Sequence, residues 1–262
     1  MSPARPIALI TGASSGLGAE FARQLSGRGF DLILVARRRD RLEALAAELP
    51  TASEVLEADL ANDTAVHAIE EHIAAEPRLD LLVNNAGFGA RGRFDRSDLE
   101  TQDRMHRVHV IATMRLTHAA LGPMVERDRG AIINVPSVAA FARAAGSVSY
   151  CATKTWMNAF TEGLNLELTA IGSRVRVQAL CPGFTYTEFH GALGFDRSTI
   201  AEGLWLKAED VIRESLDSLD SARWLVVPNW KYKLFTAVFP KLPLGVKELF
   251  QRKLPARQRR TI

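Results

Sequence analysis

The sequence predicts an α/β fold, a doubly wound parallel sheet of about seven strands in one domain, with helices on both faces. Three observations predict it. Short apolar runs alternate with longer stretches of helical periodicity, the order of successive βαβ units. The early runs, Ile7–Ile10 and Leu32–Val35 among them, are continuously apolar, as strands covered on both faces must be. A length of 262 residues, 47% hydrophobic and 24% charged, suits one sizeable core.

The apolar runs place strands at Ile7–Ile10, Asp31–Ala36, Glu54–Glu57, Leu79–Val83, Ala131–Val135, Val175–Leu180 and Trp224–Val227. Helical periodicity places helices near 16–28, 38–49, 62–75, 97–126, 149–171 and 208–219. No repeat or low-complexity tract interrupts this order. The N-terminus runs straight into a strand without a leader pattern, and no uncharged run approaches the ~20 residues that cross a bilayer as a helix. Cys151 and Cys181 have neither metal-ligand spacing nor the numbers of a disulfide framework. A soluble protein of the reducing cytoplasm is expected.

Charge divides the chain. Residues 228–262 hold nine Lys/Arg and one Glu, net +8, against 24 basic and 29 acidic groups, net −5, in residues 1–227. We therefore expect one domain over 1–227 and a basic extension over 228–262. No nucleic-acid-binding motif accompanies the charge, which argues against that partner.

The first strand leads into Thr11-Gly12-Ala13-Ser14-Ser15-Gly16-Leu17-Gly18, where a helix starts. Glycines in such a turn let the backbone approach a pyrophosphate, which the N–H groups of the helix start can bind. The spacing differs from the simple G-x-G-x-x-G pattern, and a merely tight turn would use the same residues. About twenty residues on, where an acid would hold the 2′-hydroxyl of NAD, the second strand ends in Ala36-Arg37-Arg38. A guanidinium at Arg37 suits a 2′-phosphate, so NADP(H) is the expected cofactor. The other reading makes these arginines the solvated face of the following helix.

Further on stand Asn84-Asn85-Ala86-Gly87, Ser137, Tyr150-Cys151-Ala152-Thr153-Lys154, Pro182-Gly183 and Thr187. With the glycine turn, this ordered set resembles the short-chain dehydrogenase/reductase family, known by TGxxxGxG, NNAG, a Ser thirteen residues before Tyr, YxxxK and PGxxxT. The resemblance runs from about Ile7 to Thr187. It implies a Rossmann-like fold and interconversion of a carbonyl and an alcohol by hydride transfer. It also implies that Lys154 holds the nicotinamide ribose, that Asp59, with Leu60 beside it, meets the adenine, that Asn85, Ala86 and Gly87 line the cofactor groove, and that Pro182, Gly183 and Thr187 frame the nicotinamide. Asp59 equally suits the start of the next helix, although Asn62 or Asp63 also offers a cap.

The chemistry is intelligible from the residues. Tyr150 and Lys154, four apart on a helix, share a face. Tyrosine, with a pKa of about 10, is a poor base until a nearby ammonium stabilises its phenolate. Ser137 would hold the same substrate oxygen for transfer. Two positions depart from the family pattern. His109 stands where an Asn usually supports a water-linked proton path to the Lys, and Pro136 replaces a small hydroxyl residue. His109 either brings a titratable group into that path or fills the position while substrate and water do the work.

The histidines lack a partner set for a metal, and neither Ser137 nor Ser149 sits in a G-x-S-x-G elbow, which excludes a serine hydrolase of that type. A non-catalytic NADP-binding sensor or scaffold is the competing reading, opposed by the intact Ser137, Tyr150 and Lys154. In the family, the segment after Pro182-Gly183 forms a mobile substrate lid. Here it carries Phe184, Tyr186, Phe189, Leu193, Phe195, Trp205 and Leu206, an apolar set suited to a hydrophobic carbonyl or alcohol or to core packing. In the extension, Val246, Leu249, Phe250 and Lys253/Leu254 recur at helical spacing beside basic residues. Such a stripe either packs on the chain's own cleft or a partner copy, giving a homo-oligomer, or lies on an anionic bilayer.

Overall fold

A computed structural model describes residues 4–189, 200–221 and 223–252. Leu193 and Phe195 of the apolar segment, and Lys253 and Leu254 of the tail stripe, lie outside them. The seven strands are β1 (Ile7–Thr11), β2 (Asp31–Ala36), β3 (Ser53–Glu57), β4 (Leu79–Asn84), β5 (Ala131–Asn134), β6 (Arg176–Leu180) and β7 (Leu225–Val226). They form one all-parallel sheet in the order β3-β2-β1-β4-β5-β6-β7. After β3 the chain crosses back to place β4 beside β1, so the strand order reverses there and a crevice opens at the carboxyl ends of these two strands.

The helices are α1 (Gly16–Gly27), α2 (Arg39–Glu48), α3 (Asp63–Ala75), α4 (Leu99–His106), α5 (Thr113–Glu126), α6 (Val148–Ala170), α7 (Ala208–Ser218), α8 (Trp230–Val238) and α9 (Leu244–Arg252). They cover both faces. One core gathers Phe21, Leu25, Leu42, Val211, Ile212 and Leu216 under the sheet, the other Ile69, Ile73, Leu116, Met124 and Leu168. Central strand β1 is buried throughout, whereas edge strand β3 exposes Glu54 and Glu57. Charges on an edge oppose pairing with another chain.

One expectation changes. The single helix over 97–126 is interrupted by a π-helical stretch at Arg107–Ala112, between α4 and α5. Such a widened turn draws His109 to complete burial. Beyond residue 228 the chain packs on the domain through Tyr232 of α8, which is buried in a cluster with Cys181 and Val227. The outer side of the same extension differs: Trp230, Leu234, Val238, Leu244, Val246 and Leu249 are all exposed. Among the described residues no helix is long and apolar enough to cross a membrane, and no His, Cys, Asp and Glu gather at a metal site. Both cysteines are free and buried.

Candidate active site

The glycine turn closes the crevice from one side. Gly12 and Gly16 adopt left-handed backbone, with φ of 67° and 57°, which other residues reach only with strain. Gly12 also lacks room for a side chain, since a Cβ would lie 2.9 Å from Ala86 Cα. A Cβ on Gly18 would lie 2.2 Å from the Gly12 carbonyl oxygen, so this glycine seats α1 against the turn. The Ser15 side chain makes no capping bond at the start of α1, which leaves the first N–H groups directed at an anion position.

The wall opposite is tied to the turn. The Thr11 hydroxyl donates to Val83 O (3.1 Å) and accepts the N–H groups of Asn85 (2.9 Å) and Ala86 (3.0 Å). Asn85 Nδ2 donates back to Thr11 O at 2.9 Å. Deeper in, Asn84 Nδ2 donates to Asn134 Oδ1 (2.9 Å), whose Nδ2 donates to Thr161 Oγ1 (2.9 Å), linking β4 and β5 to α6 in the core.

A cleft of about 370 Å³ unites every expected site residue except Gly18 and His109. Asp59 faces it but is engaged: its carboxylate accepts Ala61 N–H at 3.1 Å and Arg104 at 2.7 Å. Although partial burial opposes ionisation, these two bonds hold the carboxyl below its ordinary range. Asn62 caps α3, accepting the N–H groups of Thr64 and Ala65, so Asp59 is not needed there. Arg37 lines the cleft at an exposed position. Arg38, which the strand-end argument passed over, turns back onto the glycine turn and donates to Ser14 Oγ (3.0 Å) and Ser15 Oγ (2.8 Å). Glu188 accepts from Arg38 (3.2 Å) and from Arg41 (2.8 Å). An uninterrupted Arg-Arg-Arg run carries no signal of which member would fold inward.

The catalytic candidates converge at the inner end. Ser137 follows β5, and its hydroxyl accepts Ala139 N–H at 3.1 Å and donates to Pro182 O at 3.4 Å on the cleft wall that Tyr150 also lines. Lys154 Nζ lies 5.8 Å from the centre of the Tyr150 ring and donates to Val135 O at 2.9 Å. Burial acts against the charges this chemistry uses. It raises the Tyr150 phenol, only partly offset by Ser137, and it lowers the Lys154 ammonium to about 7. Desolvation dominates both groups.

His109 is held from two sides. Phe88 N–H donates to its Nε2 (3.2 Å), so the ring proton sits on Nδ1 and is donated to Thr153 Oγ1 (2.9 Å), which in turn donates to Tyr150 O (3.0 Å). Both nitrogens are satisfied in the neutral form. Burial, then the Lys154 charge, holds the imidazole well below its ordinary value. The ring joins the π-helical stretch to α6 and to the turn at Gly87, where a Cβ would meet Nε2 at 2.8 Å.

A family model described as short chain dehydrogenase matches residues 6–197. Nodulation protein G of Rhizobium sp. (strain N33) is 36% identical over 178 residues, 68% of this chain and 72% of that protein. Among solved structures, a short-chain dehydrogenase from Sphingobium yanoikuyae in complex with NADPH shares 33% identity and a TM-score of 0.81, covering 96% of this chain and 97% of that one. The bulky-bulky ketone specific alcohol dehydrogenase from Comamonas testosteroni shares 27% identity and a TM-score of 0.77 over 96% and 95% of the two chains.

Lys154 yields a stability prediction. A base held near 7 in the folded chain and at 10.5 when unfolded binds fewer protons folded than unfolded between those values, so its cost to stability is full below about 7 and fades as pH rises toward 10.5. Replacing it by an apolar residue, Lys154→Met, should raise the melting temperature at pH 6 by about 3 °C, corresponding to roughly 1 kcal/mol. Calorimetry at pH 6 and pH 10 checks this, the gain shrinking at the higher pH; an equal gain at both would contradict it.

Proposed function

The chain belongs to the short-chain dehydrogenase family of oxidoreductases, and from that premise we propose that it interconverts a hydrophobic carbonyl and its alcohol with NADP(H). The observation that carries the proposal is the convergence of the Ser137 and Tyr150 hydroxyls and Lys154 Nζ on the cleft that the glycine turn also lines. That cleft fits a dinucleotide: Gly12 and Gly16 supply the close backbone approach, and the start of α1 supplies N–H donors for its phosphates. Arg38, with Arg37 beside it, offers guanidinium groups to a 2′-phosphate, and NADPH in the Sphingobium structure supports that choice.

A nicotinamide dinucleotide, when bound, supplies the hydride and, once oxidised, a positive ring. In reduction, Ser137 donates a hydrogen bond to the carbonyl oxygen and holds it beside Tyr150. As hydride reaches the carbonyl carbon, Tyr150 gives its hydroxyl proton to that oxygen, completing the alcohol. Burial keeps the phenol protonated for this step. The reverse step needs a phenolate, which Lys154 stabilises only together with a further positive charge. Phe189 beside the Tyr150 ring, at 6.0 Å, and Tyr186 stacked on Trp205, at 5.1 Å, favour an apolar substrate, and the ketone specificity in the Comamonas enzyme's description is in keeping.

The exposed row of the extension we assign to contact between copies of the chain. Its net +8 complements the net −5 of the remainder, and its apolar side chains lack cover among the described residues.

Three outcomes test these statements. Tyr150→Phe keeps the ring but removes the proton, so NADPH oxidation with a panel of aliphatic, aromatic, steroid and oxoacyl ketones should fall about 10²- to 10⁴-fold while NADPH binding persists. Unchanged turnover would overturn the mechanism. In cofactor titrations, Arg38→Ala should weaken NADPH about tenfold or more and leave NADH unaltered, as expected for lost charge-assisted hydrogen bonds. Equal wild-type affinities for the two cofactors would refute the NADP assignment. For the extension, analytical ultracentrifugation should find an oligomer that Leu234→Glu dissociates. A monomer that instead co-sediments with anionic vesicles at low salt would transfer the face to a bilayer.

A further inference from the structure

Beyond the catalytic groups, one buried hydroxyl in the extension makes contacts that the proposed reaction does not use. Asn229 enters α8 with left-handed φ of 74° and accepts Lys231 N–H through its side chain at 2.9 Å. This turn directs Tyr232 inward, to 6% exposure, while its neighbours Trp230 and Leu234 stay at 67% and 57%. The ring lies flush on Gly183, where a Cβ would come within 2.1 Å of its edge. Gly183 is not among the left-handed glycines, so its requirement for a bare Cα is spatial and comes from Tyr232.

The hydroxyl then bridges two places far apart in sequence. It accepts Phe184 N–H at 3.0 Å and donates to Leu204 O at 2.7 Å. The same two strands of chain are laced by Leu206 N–H to Phe184 O (2.8 Å) and Tyr186 N–H to Leu206 O (3.0 Å), with Thr185 and Leu206 forming an isolated parallel bridge. From this knot, residues 185–189 run directly along the cleft. Thr187 packs on Gly16, where a Cβ would meet it at 3.2 Å, Glu188 reaches Arg38, and Phe189 lies beside the Tyr150 ring.

We propose that Tyr232 is a positioning residue: by fastening Phe184 to Leu204 behind Gly183, it sets how Thr187, Glu188 and Phe189 face the cofactor and the catalytic tyrosine. The inference rests on the reading of the cleft as the NADP(H) site. It makes the basic extension part of the active-site frame, since a residue 82 positions after Tyr150 then controls the wall opposite it. Ordinary core packing asks only for the ring, whereas positioning asks for the hydroxyl.

Tyr232→Phe separates these demands, because it retains the ring in its cluster with Cys181 and Val227 and deletes both bonds. Leaving a buried N–H without its partner costs enough to change a local equilibrium about tenfold. Hydrogen exchange of the full-length variant should therefore accelerate about tenfold at the amides of Phe184, Tyr186 and Leu206, with those of β1 and β4 unchanged. The dissociation constant of NADPH should rise about fivefold. Wild-type exchange at these amides, or faster exchange with wild-type NADPH affinity, would overturn the proposal. A second measurement survives poor folding of any one variant. Gly183→Ala should abolish NADPH binding in the presence of Tyr232, and Tyr232→Leu in the same chain should recover it to about the weakened level of Tyr232→Phe, because the clash is with the ring and the hydroxyl is still missing. Additive losses would overturn the assignment. Neither readout requires turnover, and Tyr150→Phe bears only on the reaction, so failure of the catalytic reading and failure of this one are distinguishable.

Discussion

One hydroxyl holds together the two strands between which the sheet reverses. Thr11 Oγ1 stands at the carboxyl end of β1, donates to Val83 O of β4 and accepts the next two backbone N–H groups beyond that strand. Everything in the cleft depends on this junction. It aligns the glycine turn with the Asn85–Gly87 turn at a separation so small that a Cβ at Gly12 would strike Ala86. The crevice of a doubly wound sheet exists by topology, but its width at the bottom is set by this bond and by the returning Asn85 amide.

From that junction a second constraint runs inward. Asn84, Asn134 and Thr161 form a buried chain of amide and hydroxyl bonds from β4 through β5 to α6, and Asn84 also donates to Thr117 of α5. Buried polar groups satisfied by one another fix relative positions more narrowly than apolar contacts, because a displaced partner leaves an uncompensated group. The chain thereby couples the strand that leads into the Asn85–Gly87 turn to the helix that carries Tyr150 and Lys154. His109 adds a second tie, joining the π-helical stretch to α6 through Thr153.

The site is electrostatically unfavourable by itself. Burial opposes the phenolate at Tyr150, the ammonium at Lys154 and the imidazolium at His109. For His109 the contacts of both ring nitrogens suit the neutral form that burial favours. Burial brings the Lys154 amine toward neutral pH but moves the Tyr150 phenol away from it, so the phenol is held protonated and its phenolate needs added positive charge.

Much of this was legible from residues alone. The strands could be placed because sheets covered on both faces demand continuous apolar runs, and the glycine turn, Ser137, Tyr150 and Lys154 could be placed because their chemistry depends on local spacing: a turn after a strand, or two side chains four apart on one helix face. What sequence could not decide depends on neighbours remote in the chain. Which arginine folds onto Ser14 and Ser15 follows from the turn into α2, so Arg38 was passed over for Arg37. The break at Arg107–Ala112 is too short for periodicity to reveal, and the neutrality of His109 follows from Phe88 and Thr153 on other elements. The extension, separable by charge, is joined to the body by Tyr232, because the bare Cα that its ring requires lies 49 residues earlier at Gly183. The amino-acid order by itself determined the elements and the reactive groups; only their packing across the sheet decided which donors are satisfied, which charges are tolerated and which surfaces meet.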